Sequence, residues 1–164
     1  MALTAGGHRA IQRDAANGAV AKTYLAIVSG RPRRSTGTIR LSLGRDPNDR
    51  RRMQVLDTGA ASETRYEILD VSGAWTLLRC ELVTGRTHQI RVHLAASGWP
   101  IAGDRLYGVP HPNLARQALH AWNVRLPHPV TRTPLAITAP VSGDLRAAFP
   151  EFASAFARGV MSTA

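Results

Sequence analysis

A chain of 164 residues is long enough for one domain with a buried core and too short to expect two. Hydrophobic residues make up 44% of it, which excludes wholesale disorder, and no apolar run approaches the roughly 20 residues needed to span a bilayer. Lysine and arginine total 21 against 11 acids, and this net charge of +10 points to a polyanionic partner, nucleic acid first. All the basic residues except Lys22 are arginine, which forks onto phosphate and stacks on bases. An arginine-favouring codon composition would explain the lysine shortage, but not the excess of base over acid. The N-terminus, MALTAGGHRAIQRD, turns polar within a few residues and lacks the apolar core of a secretory signal, so a cytoplasmic protein is expected. Cys80, the single cysteine, has no internal disulfide partner, and no Cys/His cluster has zinc spacing, so no metal is expected.

From about Gly7 to Gly18 the sequence predicts a short helix with Gly18 as its stop. Lys22 to Ser29 alternates as a strand, with Tyr24, Ala26 and Val28 on one face and Leu25 and Ile27 on the other. Gly30 to Gly37 and Gly44 to Met53 read as basic loops, the second carrying Pro47 and the run Arg50, Arg51, Arg52. Ser62 to Val71 and Trp75 to Val83 predict an antiparallel hairpin turning at Ser72-Gly73, with Leu78, Cys80 and Leu82 on a core face. Thr84 or Thr87 is expected to cap a helix through THQIRVHLAAS that stops at Gly98 before Pro100. Leu119 to Leu126 and Leu135 to Ala139 predict two more strands, and Asp144 to Phe156 a terminal helix interrupted at Pro150. Strands outnumber helices without regular alternation, which argues an α+β fold with a mainly antiparallel sheet.

The segment Leu82 to Gly108, LVTGRTHQIRVHLAASGWPIAGDRLYG, resembles the signature TGRTHQIRxHxxxxGxPxxGDxxYG of RluA-family RNA pseudouridine synthases. Other segments follow in family order: Lys22 to Ala26 (KxYxA), Gly44 to Pro47 with Arg52-Met53, ASETRY ending at Tyr66, Leu119-His120-Ala121, His128 to Thr131, and Ala139-Pro140. The resemblance runs from Lys22 to Pro140, and the GRDP loop and ASETRY strand look most like the RluD-like enzymes of large-subunit ribosomal RNA. It implies a pseudouridine synthase fold, a mainly antiparallel mixed sheet with flanking helices, incomplete at its N-terminus. Residues 1–164 would be the C-terminal portion of one catalytic domain, with no separate N-terminal RNA-binding domain. The implied activity isomerises uridine to pseudouridine in RNA, with ribosomal RNA expected and transfer RNA left open. No cofactor, no membrane and a monomer are expected.

Residue by residue, the resemblance places Tyr24 as a flat wall for the flipped uracil and a candidate base in the last proton removal; its residue type alone would favour a core tyrosine. It makes Arg91 the arginine that pairs with the catalytic aspartate, a charge arrangement that keeps a carboxylate ionised. Arg86, Thr87 and His88 enter a helix whose first turn favours anions, so they are candidate RNA contacts. Arg50, Arg51 and Arg52 contact phosphate or form a solvated loop. His93 is expected to pack or cap, and Asp104 to hold a turn without acting as a nucleophile.

The family's nucleophile lies in an HRLDxxTSG segment that nothing in this sequence matches. Met1-Ala2-Leu3-Thr4 instead resembles the stretch just after TSG, so the departure reads as a truncation, by fragment or by mis-started gene model. Such a chain is expected to lack the covalent chemistry by itself and to leave apolar surface and a strand edge open. The alternative is a non-catalytic RNA-binding remnant of the same fold. A basic ribosomal structural protein would leave the signature unexplained.

Overall fold

The computed structural model describes residues 4–161. Met1, Ala2 and Leu3, which open the stretch resembling the segment after TSG, lie outside them. Helix α1 (Ala5–Ala16) starts at Thr4, whose Oγ1 accepts the Gly7 N–H at 3.1 Å, and ends ahead of Gly18 in the left-handed region at φ +73°. Strand β1 (Ala21–Ser29) follows, then β2 (Thr36–Arg40), a hairpin of β3 (Leu43–Arg45) and β4 (Met53–Val55), and β5 (Glu63–Ser72) turning into β6 (Trp75–Leu82). Helix α2 (Gln89–Ala96) is next, then β7 (Leu119–Pro127) and β8 (Pro134–Thr138). Helix α3 (Gly143–Ala148), a 3₁₀ turn at Pro150–Phe152 and α4 (Ala153–Met161) complete the described chain. Pro150 divides the terminal helix as expected, because its ring cannot sit inside a continuous helix.

The main sheet has the order β2-β5-β6-β1-β7-β8, and every neighbouring pair is antiparallel. Two expectations fail here. The basic loop expected to run to Gly37 gives way at Thr36 to the edge strand β2, where Ile39 is buried and pairs with Thr64. The loop from Gly44 to Met53 is bounded by the β3–β4 ladder, Arg45 opposite Met53. All three strands are short, so none shows the sustained alternation that marks a strand in sequence.

Register fixes what lies on each face, because directly opposed residues point the same way. Tyr24 opposes Cys80, Cys80 opposes Tyr66, and Lys22, Leu82 and Thr64 form the next row on that face. Helix α2 covers this face: Gln89 Nε2 donates to Thr64 Oγ1 at 3.0 Å, and His93 Nδ1 lies 2.9 Å from the same hydroxyl. On the opposite face Trp75 meets Phe149 edge-on, and Phe149, Phe152 and Phe156 form an aromatic series over buried Leu25, Ile27 and Leu77. The two coverings explain why Leu25 to Val28 are all buried rather than alternately exposed. Cys80 is fully buried and its thiol is pushed up to about 12 by desolvation, which leaves it un-ionised and inert.

Candidate functional site

Helix α2 does not begin with a threonine cap. His88 occupies the cap position in the left-handed conformation at φ 54°, with no side-chain hydrogen bond to the helix N–H groups. Thr84, one of the two expected caps, instead donates its hydroxyl to Gln89 Oε1 at 2.8 Å, and Arg86 N–H donates to the same oxygen at 3.0 Å. Gln89 is buried and holds the approach to the helix from inside. The left-handed backbone turns His88 out of helical register, so its relation to Arg91 is set by a third side chain.

That side chain is Tyr107. Its Oη accepts the Met53 backbone N–H at 2.7 Å and lies 2.9 Å from His88 Nδ1. Its ring lies 4.9 Å from the Arg91 guanidinium carbon and 5.3 Å from that of Arg52, within cation–π range of both. One expected RNA contact of the basic loop, Arg52, and one at the start of α2, His88, are therefore drawn together at Tyr107. Arg86 and Thr87 are exposed, as are Arg50 and Arg51; Arg52 and His88 are partly buried. Arg51 is engaged by Asp49 through two nitrogens, at 2.9 and 2.8 Å.

Arg91 is held by Asp104. Its Nε donates to Oδ2 and its Nη2 to Oδ1, both at 2.7 Å, with the carboxylate fully buried and the arginine side chain 12% exposed. The same Oδ1 accepts the N–H groups of Leu106 and Tyr107 at 3.0 and 3.2 Å, so Asp104 ties a turn and an arginine together. Burial by itself would raise the Asp104 pKa, but the Arg91 fork and the two amides outweigh it and hold the carboxyl below its usual range. The Asp104 hydrogen bonds raise Arg91 above its already high value. Burial lowers His88, and the Arg91 charge lowers it further. Burial also lowers His93, whose Nδ1 lies 2.9 Å from Thr64 Oγ1 and whose Nε2 lies 3.4 Å from the Leu41 carbonyl.

Tyr24 is partly buried on the face that α2 covers, and desolvation raises its phenol pKa. Beside it is a concavity of about 250 Å³ whose lining includes Lys22, Ala121, Trp122, Val124 and Ile137. Tyr24 and Arg91 thus belong to the same side of the sheet, although Arg91 is not among the residues lining that concavity. Sequence reasoning missed Tyr107 and the full part of Asp104. Both stand in the GDRLYG stretch, where an acid three residues before a tyrosine was the available signal.

A family model described as RNA pseudouridylate synthase matches residues 1–96. An uncharacterised RNA pseudouridine synthase of Chloroflexus aurantiacus is 49% identical over 127 residues, which cover 76% of this chain and 40% of that protein. Ribosomal large subunit pseudouridine synthase D of Nitrosomonas europaea is 42% identical over 137 residues, 78% of this chain and 40% of the relative. The chain therefore spans about two fifths of the length of each. Among solved structures, human RNA pseudouridylate synthase domain containing 1 superposes with a TM-score of 0.73 at 27% identity, over 89% of this chain and 65% of that one.

Proposed function

The chain belongs to the RNA pseudouridylate synthase family, and from that premise we propose that it forms the tyrosine- and arginine-bearing part of an enzyme that isomerises uridine to pseudouridine in RNA. The reaction breaks the bond from ribose C1′ to uracil N1, forms one from C1′ to C5, and moves a proton off C5 while N1 gains one. Nothing is oxidised and no group is donated, so the reading includes no cofactor. The nucleophilic carboxylate comes from polypeptide outside these 164 residues, in an HRLDxxTSG-like segment. Large-subunit ribosomal RNA is the proposed substrate, on the likeness to relatives named ribosomal large subunit pseudouridine synthase D. Residues 1–164 are proposed to be one portion of a single catalytic domain that acts as a monomer in the cytoplasm.

The observation that carries this reading is the register that sets Tyr24 on the face under α2, the helix of Arg91. A flipped uracil leaves its stack at a cost of a few kcal/mol, and stacking on an aromatic ring returns about 1–3. Tyr24 supplies that ring, and its raised pKa favours the neutral wall over a ready proton acceptor. Arg91 presents its Nε–Nη2 edge to Asp104, and the Nη1–Nη2 edge is the one proposed to meet the incoming carboxylate. Arg86, Thr87 and His88 with Arg50, Arg51 and Arg52 supply the phosphate contacts.

The test joins this chain to the aspartate-bearing portion of the Nitrosomonas relative and follows tritium release from 5-tritiated uridine in a ribosomal RNA fragment. Tyr24→Ala is expected to abolish turnover while RNA affinity changes less than about threefold, and Arg91→Ala to cut turnover by about 100-fold or more. Unchanged turnover in either variant removes that residue from the site. The second reading, a non-catalytic RNA-binding remnant, is favoured by the unmatched HRLD segment together with the net charge of +10. Uridine conversion by the 164-residue chain alone would end it.

A further inference from the structure

Met53 at the foot of the basic loop, His88 in a strained backbone conformation, and the Arg91–Asp104 pair all converge on one aromatic side chain. We infer that Tyr107 is a positioning residue, a joint that fixes the Arg50–Arg52 loop and the Arg91 end of α2 relative to each other. The inference rests on the RNA-modifying reading only in what the joint is for.

The Met53 donor sets the direction of the first hydrogen bond. Met53 offers a backbone N–H, so the Tyr107 oxygen must accept it. The phenolic hydrogen is then free for donation to His88 Nδ1, in the tautomer that leaves this nitrogen unprotonated. In that tautomer loop, tyrosine and histidine form a one-way relay, and a neutral His88 is part of it. Burial of His88 and the positive charge of Arg91 both favour that neutral form. A non-glycine residue at φ 54° carries strain that its surroundings must hold in place, and Tyr107 meets the His88 side chain there through its hydroxyl and its ring edge. On the other side of the joint, the Tyr107 backbone N–H is bonded to the Asp104 carboxylate that grips Arg91. The ring itself lies against both guanidiniums, one from the loop and one from the helix. A phosphate that moves Arg52 therefore moves the ring on which Arg91 rests.

Two variants separate the parts of the joint: Tyr107→Phe removes the oxygen and keeps the ring, and Tyr107→Leu removes both. The purified 164-residue chain is followed by NMR without RNA. In Tyr107→Phe the Met53 amide is expected to exchange about threefold to tenfold faster, the loss of one net hydrogen bond. The His88 titration should move upward because Nδ1 has lost its donor, while the Arg91 Nε–H signal stays sharp. In Tyr107→Leu the Arg91 signal should broaden as well. Amides of β6 should keep their protection in both, which distinguishes a loosened joint from a damaged fold. Unmoved Met53 exchange and an unmoved His88 titration in Tyr107→Phe would overturn the joint. Affinity for a short uridine-containing RNA hairpin tests the functional reading separately. Tyr107→Phe should weaken it, and Arg52→Gln should cost less in that background than in the unaltered chain, whereas additive losses overturn the coupling. Failure of the unaltered chain to bind the hairpin would count against the RNA reading, and the NMR signals would still decide the joint.

Discussion

Asp104 spends one carboxylate on two tasks. Oδ2 and Oδ1 hold the Arg91 fork, and Oδ1 also closes the turn through the Leu106 and Tyr107 amides. Removing one partner of so buried a pair strands the other, so Asp104→Ala should cost about 3–5 kcal/mol of stability, read from urea unfolding. A loss below about 1 kcal/mol would mean that the pair is solvated and idle. The pH dependence follows from the depressed carboxyl. Its stabilisation is fully present above the unfolded value near 3.9 and is lost as pH falls toward the lower folded value, so acid unfolding of the native chain should be steeper than that of Asp104→Asn. Arg91 and Tyr24 stand out as candidates in the sequence because both sit inside motifs of fixed spacing. Tyr107 was not legible, because its partners Met53 and His88 lie 54 and 19 residues away and no local pattern links them.

At the scale of elements, the seating of α2 on β5 decides where Arg91 points. Gln89 and His93 fasten the helix to Thr64, and His93 does so while completely buried. Its imidazole resists protonation in the fold, whereas the unfolded chain takes up a proton near pH 6.5. Stability from this contact is therefore complete above that pH and is lost as pH falls toward the folded value; His88, also depressed, acts in the same direction. Urea midpoints should drop between about pH 7.5 and 5.5 in the native chain and drop less in His93→Gln. Equal slopes would remove His93 from the account. The edge strand β2 supplies a second prediction. A Cβ at Gly37 would stand 2.6 Å from the Tyr66 ring, which is itself packed edge-on to Trp99, so Gly37→Ala should cost about 1–3 kcal/mol by thermal or urea unfolding. β1, β5, β6, β7 and β8 could be read from alternation and turn residues, and α1 and α2 from their glycine stops. β2, β3 and β4 could not, because pairing, of β2 with β5 and of β3 with β4, makes these short segments strands rather than any apolar alternation of their own.

For the molecule as a whole, the charge excess and the two-sided sheet point the same way. One face is partly covered by the Phe149–Phe156 series, and the other carries Tyr24, α2 and, through Met53 and Arg52, the Arg50–Arg52 loop. If the loop and the start of α2 neutralise about three or four phosphates, RNA affinity should fall about 30-fold between about 50 and 200 mM salt. A flat salt response would contradict a phosphate-reading surface. The measurement that bears most directly on the central claim is uridine isomerisation by two preparations: the 164-residue chain alone, and the same chain joined to an aspartate-bearing HRLD segment. The account predicts pseudouridine from the joined protein only, and none when the added aspartate is changed to asparagine. Pseudouridine made by the unjoined chain, or made by the joined protein with both Tyr24 and Arg91 replaced by alanine, would contradict it.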